Sequence, residues 1–432
     1  MRVSRWTSLA CFFALCSAGL SPIGCDEADE PCGGSCLPGQ VCDPSTDECI
    51  DLRPQTDPPD LGRYLSLAVE STGRLVMAAY ADRYGDMVFG KEKDDGSFEY
   101  EYVDGVPFQI GGSLLGDPSP VLLGDDVGTF CSLALDVLDR PHMAYFDRTY
   151  GRLKYAYKTG EGWQVVTVPR AAESEHVVGR CASMALDSDG LPHIAFLDED
   201  APSIKLARKF SDGHWAVERV ESCQPAGPER EGEVGRSIAL VLDHRGGEWI
   251  AYRDPCQGSL KVAHRMTDEW SIMALDASGD VASWIAADLD AEGNMALAYF
   301  DRAAGCLKYA WNNHGTLGWI VVDDGGQRVE SGALHTHPMG QHCSLRFGPD
   351  GLARIAYLDG WQLDLRLVTG LAGGGFGEPQ VVSQDGAVGF FNAMVIIGDR
   401  LRLGTYRYGR GEDGRSSGEI LYADLPLEGP GP

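Results

Sequence analysis

The sequence predicts an all-β chain folded as a seven-bladed β-propeller. Three observations predict it. The phrase A-Y-x-D recurs at near-regular spacing. Each copy is followed by a second apolar phrase and then by an aromatic residue. Between these phrases lie short β-rich stretches set apart by Gly/Asp turns, with no convincing helical period.

The first phrase reads "AAYAD" to Asp82, "MAYFD" to Asp147, "IAFLD" to Asp198, "IAYRD" to Asp254, "LAYFD" to Asp301 and "IAYLD" to Asp359. A degenerate copy, "GTYRY", ends at Tyr408, and successive copies lie 47 to 65 residues apart. The second phrase is "MVFG" from Met87, "LKYA" from Leu153, "IKLA" from Ile204, "LKVA" from Leu260, "LKYA" from Leu307, "LRLV" from Leu365 and "ILYA" from Ile420. Trp163, Trp215, Trp270 and Trp319 mark the third position, with Phe98 and Phe376 in the matching places. Each unit therefore holds four short strands. One unit alone would leave its apolar faces in water; stacked copies bury them, and this is the physical reason for the repetition. The seventh copy runs out at "ILYADLPLEGPGP" without a fourth strand, and the Pro-rich stretch before the first copy is a poor donor of one.

The segments ahead of the propeller come in order. Residues 1–24 read as a signal peptide: Arg2 and Arg5, then an apolar run from Trp6 to Leu20. Gly24 before Cys25 resembles a lipobox, which makes Cys25 the expected lipidation site and the cell envelope the expected location, with an ordinary secretory signal as the alternative. Residues 25–50 form a small module, "CGGSCLPGQVCDPSTDEC", too poor in apolar residues for a core. Cys32, Cys36, Cys42 and Cys49 are expected to form two disulfides, with a zinc knuckle as the rival reading. Residues 51–62, "DLRPQTDPPDLG", read as a spacer, and residues 63–428 as the propeller. A formal charge of -28 excludes a basic nucleic-acid footprint.

Residues repeated in every copy read as structural. Asp136/Asp147, Asp187/Asp198, Asp243/Asp254 and Asp290/Asp301 stand at strand ends, where a carboxylate accepts from free N–H groups of the next turn. Calcium ligation is the alternative. His142 and His193 occupy a slot that elsewhere holds Trp249, Ala296 and Arg354, and read as packing. Function is expected on the non-repeated insertions at 104–130, 169–180, 221–236 and 324–342, which share one face. Their candidate binding residues are His176, Arg180, Arg236, His335, His337 and His342. In "ALHTHPMGQHC", His335, His337 and His342 are candidate metal ligands, for zinc above all, because H-x-H on an extended segment aims both rings one way. The remaining cysteines are expected to pair as Cys131–Cys181, Cys223–Cys256 and Cys306–Cys343.

The phrase "PHIAF…IKLA…W" with its D-x-x-G turn resembles the BNR-type repeats of sialidase-like propellers and of bacterial ulvan lyases. The sialidase box S-x-D-x-G-x-x-W is intact in no copy, and no arginine triad can be picked out. The lyase resemblance implies a histidine and a tyrosine as acid and base, for which His142 and Tyr145 have the right residue types. Three functions remain: a rim that binds a glycan or a protein, a polysaccharide lyase or glycosidase, and a structural envelope component.

Overall fold

The computed structural model describes residues 40–43, 48–51 and 60–427, except 84, 106–123, 171–176, 200–201, 223–236, 255, 314–315, 331–332 and 411–415. The chain divides into a small N-terminal unit and the main body. In the small unit Gln40–Asp43 pairs with Glu48–Asp51, placing Cys42 opposite Cys49. Cys25, Cys32 and Cys36 lie outside the described residues, as does Cys223.

The main body is seven antiparallel sheets, and no helix occurs among the described residues. Blade one comprises Leu61–Val69, Leu75–Ala81, Asp86–Glu92 and Phe98–Asp104; its first strand starts within the stretch expected as spacer. Blades two to six open with Val127–Leu135, Val178–Leu186, Ile238–Leu242, Ser283–Leu289 and Met339–Phe347, and each adds three strands outward. Among the described residues blade seven has three, Ala387–Ile397, Arg400–Arg410 and Ser416–Pro426. A two-stranded hairpin, Gln327–Glu330 with Ala333–Thr336, precedes blade six.

The second strand of a blade is sandwiched between both neighbours, so neither of its faces sees water. Every residue of Pro141–Asp147, Met295–Asp301 and Ala353–Asp359 is buried, which is why A-Y-x-D reads as an unbroken apolar run rather than an alternating one. One apolar cluster fills each interface between neighbouring blades.

The repeated polar residues lock those interfaces. In blade two, Tyr145 Oη and Lys154 Nζ both donate to Asp104 Oδ2 at 2.8 Å, and Asp104 ends the fourth strand of blade one. Blade four repeats the motif on Glu221, with Tyr252 at 2.6 Å and Lys261 at 2.8 Å. Blade five repeats it on Asp276, with Tyr299 at 2.7 Å and Lys308 at 2.9 Å. The same lysines bind the strand-two carboxylates, Lys261 to Asp254 and Lys308 to Asp301, both at 2.7 Å. Asp147, Asp254 and Asp301 also accept turn N–H groups, from Tyr150, Cys256 and Ala304. Asp136, Asp187, Asp243 and Asp290 do the same in the first hairpins. The aspartates are turn fasteners; calcium is not needed to explain them.

A second lock lines the channel. Ser66 Oγ accepts Leu133 N–H at 3.1 Å, Ser132 Oγ accepts Met184 N–H at 3.1 Å, and Ser183 Oγ accepts Leu240 N–H at 2.9 Å, each from the following blade. The ring closes between blades seven and one through side chains. Arg402 makes a bidentate pair with Glu92 at 2.7 and 2.6 Å, Tyr406 donates to Asp60, and Tyr422 stacks on Phe98 at 4.8 Å.

Two expected disulfides are not formed. Cys131 is the fourth residue of its inner-strand motif and faces the blade-one interface, its thiol 2.7 Å from Tyr64 O. Cys181 stands one slot earlier, on the other side of its strand, and accepts from Ser237 Oγ at 3.2 Å. The pair therefore faces different environments. Cys343 repeats the Cys131 pattern, 2.6 Å from Trp284 O. Cys306 is buried at the start of a third strand. Burial pushes the Cys343 thiol up to about 12 and the Cys306 thiol up to about 11, so both stay protonated. Cys256 is in a disulfide, and none of these four thiols is its partner.

Candidate functional site

The inner strands share an entrance of three residues. It reads Gly62-Arg63-Tyr64, Gly128-Thr129-Phe130, Gly179-Arg180-Cys181, Ala282-Ser283-Trp284, Gly340-Gln341-His342 and Gly389-Phe390-Phe391. Glycine holds the first position in five of the six, and Ala282, at φ 67°, in the sixth. A Cβ on Gly179 would lie 2.7 Å from Leu153 Cα, and one on Gly340 2.7 Å from Leu307 Cα, both in the preceding blade. The third residue adopts φ between 49° and 57° in all six, and the strand register slips across it in each. Left-handed backbone at bulky side chains is costly and is kept where the fold needs the side chain re-aimed.

These bulges bring the third residues together. Phe130 and Tyr64 rings lie 4.7 Å apart, Tyr64 and Phe391 4.9 Å, Phe391 and His342 4.7 Å, and His342 and Trp284 3.6 Å. Five half-buried rings from blades two, one, seven, six and five thus form a continuous arc at the channel mouth. Blades three and four contribute the small residues Cys181 and Ser237, leaving a notch in the arc. Two residues further along the same strands, Ser66, Ser132, Ser183, Ala239 and Ser344 line a channel cavity of about 350 Å³.

Polar groups surround the arc. Arg63 pairs with Asp82 at 2.8 Å and lies over the Tyr408 ring at 5.5 Å. Arg148 pairs with Asp126 at 3.0 Å, and Asp126 also accepts Tyr80 Oη at 2.9 Å. Arg180 pairs with Glu199 at 3.0 Å. Burial, then proximity to Cys181, pushes the Tyr64 phenol up to about 12, so it remains a hydroxyl at neutral pH. His342 Nδ1 accepts Phe391 N–H at 3.1 Å, which puts the proton of the neutral ring on Nε2.

The sequence-predicted residues fare unevenly. His342 is in the arc and Arg180 is beside it. His176 and Arg236 lie outside the described residues. His335 is on the hairpin strand Ala333–Thr336, opposite Arg328, and its side chain lies outside the description. His337 falls beyond the end of that strand and is buried flat against Trp361, with ring centroids 4.5 Å apart. Among the described residues no three His, Cys, Asp or Glu side chains converge as metal ligands.

His142 and Tyr145 do not form an acid–base pair. Three residues apart on one strand, they point to opposite faces. Tyr145 lies in the blade one–two core. His142 Nδ1 is 2.6 Å from Tyr155 Oη, whose ring lies in the blade two–three core. Burial lowers the His142 pKa below the usual imidazole value.

Tyr64, Phe130, Trp284 and Phe391 were not singled out by sequence. The signal was present in the aligned third position after the entrance residue, where rings alternate with Cys, Ser and His.

No protein-family model matches the chain, and no curated protein matches it. Solved structures share its architecture. A protein from Lactobacillus plantarum superposes with a TM-score of 0.51 at 12% identity, over 82% of this chain and 96% of that one. An ulvan lyase of a new polysaccharide lyase family, bound to a GlcA(1-4)Rha3S saccharide, gives 0.50 at 10% identity, over 86% and 95%. Aleuria aurantia lectin in complex with alpha-methyl-L-fucoside gives 0.45 at 12% identity, over 76% and 96%. The chain is a seven-bladed β-propeller with an aromatic channel mouth. At these identities the likeness concerns fold alone.

Proposed function

We propose that this protein binds a carbohydrate at the channel mouth. The observation that carries the reading is the arc of Phe130, Tyr64, Phe391, His342 and Trp284, half-exposed and framed by arginine–carboxylate pairs. Sugar rings have apolar faces that pack on aromatic rings, and hydroxyl edges that bond to charged side chains. The propeller neighbours include one solved with a saccharide, which supports the reading at the level of fold. Export through residues 1–24 and lipid attachment at Cys25 would present the mouth outside the inner membrane; release of a Cys25→Ser variant from the membrane fraction tests that part.

Polysaccharide cleavage is a second reading, favoured by one observation: His342 and Tyr64 both flank Phe391 in the arc. The raised Tyr64 pKa favours binding over base catalysis. One experiment separates them. Wild type and Trp284→Ala are titrated against a panel of oligosaccharides while chain length is monitored. Binding predicts an affinity loss of about tenfold or more in the variant with every oligosaccharide intact. Shortened, unsaturated products would replace binding by cleavage. No saturable binding by wild type would reject both.

A further inference from the structure

We infer that the channel mouth selects carbohydrates without acidic groups, neutral or amine-bearing, and discriminates against uronate and sulfated sugars. The inference rests on the carbohydrate reading and adds the ligand's charge to it.

Recognition of a carboxylate or sulfate depends on a guanidinium or ammonium that the ligand can reach and the protein has not already neutralised. Around the arc, the cations are engaged. Arg63 is held by Asp82 at 2.8 Å, Arg148 by Asp126 at 3.0 Å, and Arg180 by Glu199 at 3.0 Å. Further round the same face Arg253 is held by Asp280 at 2.9 Å. Lys261 and Lys308 each sit between two carboxylates of the interface locks. An acidic sugar would have to displace a carboxylate that the fold already holds in place.

The long-range field acts in the same direction. The chain carries a formal charge of -28, so an anion approaches against a repulsive potential, and a cation is drawn in. Arg346 does not alter this. It lies four residues beyond His342 on its strand, about 13 Å deeper by the rise of a β-strand. It lines the channel cavity together with Asp288 of the neighbouring blade. At the mouth itself the groups suited to a sugar are the Tyr64 hydroxyl, the His342 ring and carboxylate oxygens. The carboxylate oxygens bond to hydroxyl and ammonium groups and repel an acidic sugar, while the Tyr64 hydroxyl and the neutral His342 Nε2–H donate to a sugar hydroxyl or a carboxylate alike and add no charge that would favour an anion.

The test titrates the full mature protein with three hexasaccharides of glucosamine, N-acetylglucosamine and galacturonic acid, read by tryptophan fluorescence and calorimetry. The inference expects the uronate to bind at least about tenfold more weakly than the better of the other two. It also expects Glu199→Gln, which releases Arg180, to strengthen uronate binding about fivefold or more, because a guanidinium becomes available. Asp126→Asn, which releases Arg148, repeats the test at a second position, with thermal melting to verify folding. Uronate binding as tight as the others in wild type would overturn the inference and leave carbohydrate binding standing. An unchanged uronate affinity in both folded variants would also overturn it. Failure of all three hexasaccharides would remove the carbohydrate reading and this inference with it.

Discussion

The tyrosine of A-Y-x-D and the third residue of the inner-strand entrance are both placed by strands that every blade repeats. The tyrosine slot holds Tyr80, Tyr145, Tyr252, Tyr299, Tyr357 and Tyr406, with Phe196 the exception. The entrance slot holds Tyr64, Phe130, Cys181, Ser237, Trp284, His342 and Phe391. The difference follows from what each slot faces. In blades two, four, five and six the tyrosine on the second strand meets a carboxylate at the end of the preceding blade's fourth strand, so one solution serves repeatedly; Tyr80 and Tyr406, either side of the ring closure, bond instead to Asp126 and Asp60. The entrance residue faces the axis, where all seven blades meet around one shared space. Identity there would impose sevenfold symmetry on a ligand that has none. A repeated residue at a repeated contact marks structure; a varied residue held in a repeated, strained backbone marks a site.

The largest test of this contrast is the Lys308→Met variant. Lys308 is buried between Asp276 and Asp301, at 2.9 and 2.7 Å. Removing the ammonium leaves two buried carboxylates facing each other, at a cost of about 3–5 kcal/mol. Urea unfolding should show that loss, while saccharide affinity in the folded fraction stays within about twofold of wild type. A stable Lys308→Met with lost affinity would reverse the assignment of the two slots.

An intermediate effect is expected from Asp86, in the same belt of the ring. Its Oδ1 is buried without a hydrogen-bond partner. Burial, reinforced by the charge of Asp104, pushes its pKa up to about 7. Its unfolded value is near the ordinary aspartate pKa of about 3.9. Between those two values the folded chain keeps a proton that the unfolded chain has lost. Stability from this group is therefore full below about pH 4, declines as pH rises, and is gone above about pH 7. Asp86→Asn should flatten that part of the stability profile and raise stability at pH 8 by about 1–3 kcal/mol. If the variant keeps the wild-type slope, the titration belongs to another group.

Most of the fold was legible because propeller strands write their environment into the sequence. The unbroken apolar second strands, the Asp turns and the missing last strand of the ring, the fourth of blade seven, could all be read from the residues alone. The site was only half legible. His342 and Arg180 were found because they border non-repeated insertions. Tyr64, Phe130, Trp284 and Phe391 were passed over because they occupy a repeated slot, and nothing in a linear string shows that φ near 55° turns that slot toward the axis. The Cys131–Cys181 pairing failed for a related reason. Cys131 and Cys181 look equivalent in the string, yet a one-residue offset in a β-strand reverses the side to which a side chain points.

The smallest effect sharpens the comparison within the inner strand itself. Two residues past the arc, Ser132 also faces the channel, but its hydroxyl accepts Met184 N–H from the next blade at 3.1 Å. The entrance rule alone would count it as part of the site because it lines the cavity. The hydrogen bond counts it with the locks. Blades four and five carry Ala239 and Ala286 in this position, so the ring tolerates an interface without the serine. Ser132→Ala should therefore cost only about 1 kcal/mol, the net value of one hydrogen bond, and leave saccharide affinity unchanged. Thermal unfolding and the fluorescence titration, run on the same preparation, decide it. A loss of affinity without a loss of stability would extend the site downward from the arc into the cavity, and would make the channel wall, rather than the mouth, the surface that reads the ligand.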